Sequence, residues 1–74
     1  MKLYPLGANM TEIEIGNKSV LFSYKTPVAV HIEGMGYVVT EKHWSTTTSR
    51  HINKFLGGFK PYKTESQEYF DNLI

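Results

Sequence analysis

No cysteine occurs among the 74 residues, which removes disulfides and thiolate zinc sites as ways of bracing a small fold. Long apolar runs are missing as well. A stretch such as Pro27 to Val30 falls far short of the ~20 residues a membrane span requires. Acid and base nearly cancel, with eight Lys and Arg against seven Asp and Glu, so there is no broad positive field for duplex DNA. The opening Met1-Lys2-Leu3-Tyr4-Pro5-Leu6-Gly7 lacks the apolar region of a signal peptide. Together these absences predict a soluble, cytoplasmic protein with no membrane partner.

A chain of 74 residues is expected to form one small domain spanning residues 1–74. A domain of this size buries only roughly 60% of the surface its unfolded chain exposes. One Trp, five Tyr and four Phe must therefore pack closely, or a second copy must cover part of the core. Self-association is the expectation.

Hydropathy patterning supplies the elements. Thr11-Glu12-Ile13-Glu14-Ile15 alternates, as a half-buried strand does. Gly16, Asn17 and Lys18 read as a turn, and Ser19 to Tyr24 as a second strand with Val20, Phe22 and Tyr24 on one face. A third strand starts beyond Pro27, where Val28, Val30 and Ile32 alternate with Ala29, His31 and Glu33. Gly34-Met35-Gly36 turns the chain into a fourth, Tyr37 to Thr40. From Ser45 the period lengthens: Thr48, Ile52, Phe55 and Leu56 lie on one helix face, with Ser45 as N-cap and Gly57-Gly58 as the stop. Thr64 or Ser66 opens a second short helix through Leu73. The expected architecture is α+β, a four-stranded antiparallel meander followed by two short helices (ββββαα), both helices on one sheet face.

Chemistry concentrates in Trp44-Ser45-Thr46-Thr47-Thr48-Ser49-Arg50-His51-Ile52-Asn53-Lys54. Ser and Thr are mediocre helix formers, whereas hydroxyls and cations near a helix N-terminus suit a phosphate. Arg50 is the sole arginine, and its planar fork can hold phosphate or guanine bidentately. Arg50 and Lys54, four apart, repel by a few tenths of a kcal/mol unless something negative lies between them. Tyr24, beside the Lys25-Thr26-Pro27 turn, and Trp44 are the leading aromatics to cover a base, with Tyr4, Tyr37, Phe59 and Tyr62 as further aromatics at element ends or in loops; Lys25 and Thr26 are the further contributors from the sheet. A blander account also stands: the hydroxyls cap and solvate, the cations complement the helix dipole, and the aromatics are core. His31, His43 and His51 lack metal-ligand spacing, so no metal is expected. His51 among serines suggests nucleophilic catalysis, but no third group orients it, so neither an enzyme nor a cofactor is expected.

Ala8-Asn9-Met10-Thr11-Glu12-Ile13, Leu21 to Ala29, Trp44 to Lys54 and Phe70-Asp71-Asn72-Leu73 resemble a family of short proteins common in phage genomes, with the SxTTSRHIN-like segment as its most distinctive part. The compact size is also similar to that of phage anti-CBASS sponges. That resemblance implies a homo-oligomer, such as a tetramer, which sequesters a cyclic nucleotide second messenger such as cyclic GMP-AMP in the host cytoplasm without cleaving it. The ligand-binding set it points to is Tyr24, Lys25, Thr26, Trp44, Thr46, Thr47, Ser49, Arg50, His51 and Lys54. Two other classes remain: a host-takeover module that docks this basic face on an acidic host protein, and a single-stranded nucleic-acid-binding module. The interspersed Glu12, Glu14, Glu33 and Glu41 weigh against the last.

Overall fold

Tight turns dictate the sheet. In the computed structural model, which describes residues 2–7, 9–58 and 62–73, β1 (Lys2–Gly7), β2 (Met10–Ile15), β3 (Lys18–Ser23), β4 (Thr26–Ile32) and β5 (Gly36–Thr40) follow one another as antiparallel neighbours. Two-residue connections close β2–β3 at Gly16-Asn17 and β3–β4 at Tyr24-Lys25. Gly16 adopts a left-handed φ of 59° at no steric cost. Tyr24 adopts the same φ with a side chain, a conformation that costs about 1–2 kcal/mol.

Helix α1 (Thr46–Leu56) then crosses the sheet, and β6 (Lys63–Glu65) returns parallel to β5. Parallel neighbours need such a crossover. A five-residue helix, α2 (Gln67–Asp71), closes the chain. The fold is thus a small α+β domain with a mixed six-stranded sheet, not four antiparallel strands. The four expected strands and both helices are present. The two additions are β1, whose Pro5 and Gly7 disguise a strand, and β6, which has three exposed polar residues.

The helices lie on opposite faces, which corrects the expectation of one helical layer. Leu56, Ile52 and Phe55 of α1 pack on Met10, Leu21, Val28, Ala29 and Val39. Phe70 of α2, with Tyr69 and Leu73, packs on Val20, Val30, Ile32 and Val38. Alternation along β3 separates Leu21 from Val20 and Phe22 as expected. Along β4 it fails. The register moves from Leu21↔Ala29 to Phe22↔Pro27, which makes Val28 an extra residue. That bulge turns Val28 into the α1 core, away from Val30 and Ile32.

Candidate functional site

Ser45 caps α1 as its spacing predicts, accepting the Thr48 N–H at 3.1 Å, and Gly57 ends the helix at φ 61°. Thr48 points into the protein and is 5% exposed. Its hydroxyl lies 3.2 Å from Ser45 Oγ and 3.0 Å from Ser23 Oγ, and Ser23 Oγ lies 2.8 Å from His51 Nδ1. A line of hydroxyls therefore runs from the helix cap, across β3, to one imidazole. With Ser45 donating to Thr48, Thr48 to Ser23 and Ser23 to Nδ1, every oxygen is satisfied and the remaining proton sits on His51 Nε2. Among the described residues no buried side-chain polar atom lacks a partner.

Ser23 and His51 are within the reach of a nucleophile and its base. Ser23, however, is 2% exposed and its oxygen is already shared between Thr48 and His51. The contact orients the imidazole and gives no open path from Ser23 to a substrate. The half-buried His51 ring in turn lies 6.1 Å from the ring of Tyr24. The Tyr24 N–H donates to Asn9 O at 2.6 Å, holding the turn in place.

Helix geometry divides the ten expected ligand-binding residues. Thr46, Thr47, Arg50 and Lys54 are exposed on the outer arc of α1, with His51 and Tyr24 meeting along one flank. The helix contains no acidic residue. Lys25 is exposed in the β3–β4 turn, and Thr26 is half-buried opposite Ser23. Tyr24 was expected within a strand and instead forms that turn. Ser49 leaves the group: it faces the other flank, lining a cleft of about 220 Å³ with Val39, Glu41, Ile52, Asn53 and Tyr62. Trp44 leaves it as well. Its Nε1–H donates to Gln67 Oε1 at 3.1 Å, and the Lys42 ammonium sits 4.0 Å above its ring.

Gln67 and Ser23 are the residues that sequence reasoning missed. The Gln67 carbonyl also accepts from the Thr40 hydroxyl at 2.9 Å, while its amide donates to Pro27 O at 2.8 Å and Asp71 Oδ1 at 3.2 Å. No local pattern marks a helix-start glutamine as such a junction. Among the other aromatics, Tyr37 lies between His31, at a tilted angle, and Phe55, edge to face; Tyr4 and Tyr62 are exposed, and Phe59 lies outside the described residues. Among the described residues no group of three or more His, Cys, Asp or Glu could hold a metal. No helix among them is long and apolar enough to cross a membrane.

A family model covers residues 1–72. The chain belongs to a family of unknown function, DUF8033. The match spans the whole sheet, α1 and α2, so the hydroxyl line and the cleft both lie within the DUF8033 region. No curated protein and no solved structure matches the chain.

Proposed function

We propose that this protein is a non-catalytic binder of a small phosphate-bearing nucleotide, a phage anti-defence sponge that sequesters a cyclic nucleotide immune signal such as cyclic GMP-AMP. The observation that carries this reading is the outer arc of α1. There Thr46, Thr47, Arg50 and Lys54 stand exposed on a helix without a single acid. Arg50 makes a charge-assisted contact to phosphate, and Lys54 one turn on neutralises the same anion, which removes the repulsion between the two cations. His51, held through Nδ1 by Ser23, turns its other ring nitrogen, Nε2, to the flank where Tyr24 offers a ring beside it. Sequestration needs no nucleophile, and the buried, already bonded Ser23 supports that view.

The sponge acts as a homo-oligomer in this account. Exposed edge strand β1, with Leu3 63% exposed, is the surface that a second copy covers. Incubation of the protein with a nucleotide mixture, followed by removal of free nucleotide, heat denaturation and chromatography, tests the reading. Intact recovery of one cyclic nucleotide is expected. Recovery of a cleaved species, or of nothing, excludes it.

A further inference from the structure

The outer arc of α1 is convex, so it can grip a phosphate but cannot enclose a base. Concavity lies next to it, on the flank opposite His51. There Val39 and Ile52 form an apolar floor, Ser49 and Asn53 of α1 one wall, and Tyr62 and Glu41 stand around the opening. We propose that this cleft is the base-binding half of the nucleotide site, and that it takes one purine or pyrimidine ring while the phosphates remain outside on Thr46 and Arg50. The inference rests on the nucleotide-binding reading and adds to it a place and a chemistry for the base.

Four observations carry it. The cleft measures about 220 Å³, below the roughly 300–1,000 Å³ that encloses a drug-sized ligand. It therefore holds one ring system and leaves the rest of a nucleotide outside. Tyr62 lines the cleft and is 43% exposed, and an aromatic ring in such a place can stack on any base. Asn53 presents a donor and an acceptor side by side, the pairing that reads a base edge. Glu41, which lines the cleft beside Lys42 and His43, is a carboxylate that can accept from the exocyclic amine of adenine, guanine or cytosine. On the helix, Thr46 is the outward neighbour of Ser49 and Arg50 that of Asn53, each at three-residue spacing. A ring in the cleft thus places its phosphate at the lip beside Thr46 and Arg50, with Lys42 in the cleft lining itself. Tyr24 stands across the helix from this cleft, on the His51 flank.

The test is amide-resolved NMR of the intact protein titrated in parallel with cyclic GMP-AMP and with the uncharged nucleosides adenosine and guanosine. Shifts centred on Ser49, Asn53 and Tyr62 are expected for all three, joined by Thr46 and Arg50 only for the cyclic dinucleotide. Tyr62→Ala should weaken the cyclic dinucleotide by roughly five- to 150-fold. Tyr62→Phe, which keeps the ring, should leave affinity within about twofold. Arg50→Ala should weaken the cyclic dinucleotide while leaving nucleoside affinity unchanged. Shifts confined to Tyr24 and His51, or unchanged affinity in Tyr62→Ala, would overturn the cleft and leave nucleotide binding standing. No shift with any of the three would overturn the cleft, and silence across a wider panel of cyclic di- and trinucleotides would overturn nucleotide binding as well.

Discussion

One side chain, the amide of Gln67, joins four parts of the molecule: the Pro27 carbonyl of β4, the Thr40 hydroxyl of β5, the Trp44 indole before α1, and Asp71 within α2. Both its hydrogens and both its lone pairs are used. Pro27 and Thr40 are buried, and a buried polar group left without a partner costs about 1–3 kcal/mol. Gln67→Ala should therefore lower unfolding stability by about 1–3 kcal/mol in urea denaturation and change the emission of the lone tryptophan. An unchanged midpoint would mean that water replaces the amide without loss. Gln67 was not legible in the sequence because every partner except Asp71 is remote along the chain, so no period or spacing records them. The same holds for Ser23. It read as one residue on a strand face, and only the crossing of α1 over β3 makes it the link between Thr48 and His51. The ten residues expected to bind a ligand were chosen by composition. Their division between two flanks, with Trp44 diverted to Gln67, required the direction in which each side chain leaves the helix.

At the scale of elements, local signals were sufficient wherever period and punctuation agreed. The four strands β2 to β5 follow from alternation bounded by Gly16-Asn17 and Gly34, and α1 from its cap, stripe and glycine stop. Ser45→Ala tests how far the cap fixes α1. The loss of the Thr48 N–H partner should cost about 0.5–2 kcal/mol. Since Ser45 also ends the hydroxyl line, the His51 ring resonances should shift with it. A stability loss without movement of the His51 resonances would mean that the line does not transmit orientation. Elements shaped by their neighbours escaped. Edge strand β1 carries a proline and β6 is three residues long; β6 forms because α1 returns the chain alongside β5. The bulge at Val28 likewise follows from pairing with β3 and leaves no mark in the alternation of β4 itself.

At the scale of the whole molecule, the sheet is covered unevenly. A row of apolar partners crosses it from Leu3 through Ile13, Val20 and Val30 to Val38, yet the core beneath Phe70 reaches only as far as Val20. Leu3 at the free edge stays largely in solvent. An exposed apolar edge invites pairing with another chain, and for a domain this small a second copy supplies burial that the monomer lacks. Light scattering coupled to size exclusion should show a homo-oligomer for the natural chain and a smaller species for Leu3→Lys. A monomer at every accessible concentration would contradict that assembly. Strand spacing adds a geometric consequence. Two copies paired edge to edge through β1 would keep their β3 strands five sheet spacings apart, roughly 24 Å. The proposed sites on the two α1 helices would then be separate from one another.

The central claim, that α1 and its flanking cleft hold a nucleotide, is tested most directly by calorimetric titration of the natural chain and Arg50→Ala with cyclic GMP-AMP and a panel of related cyclic di- and trinucleotides. The account predicts saturable binding of at least one member by the natural chain. It predicts a loss of about 1.5–3 kcal/mol in the variant, the worth of a hydrogen bond to a charged group. Titrations silent across the panel, or equal affinity in the two proteins, would contradict it.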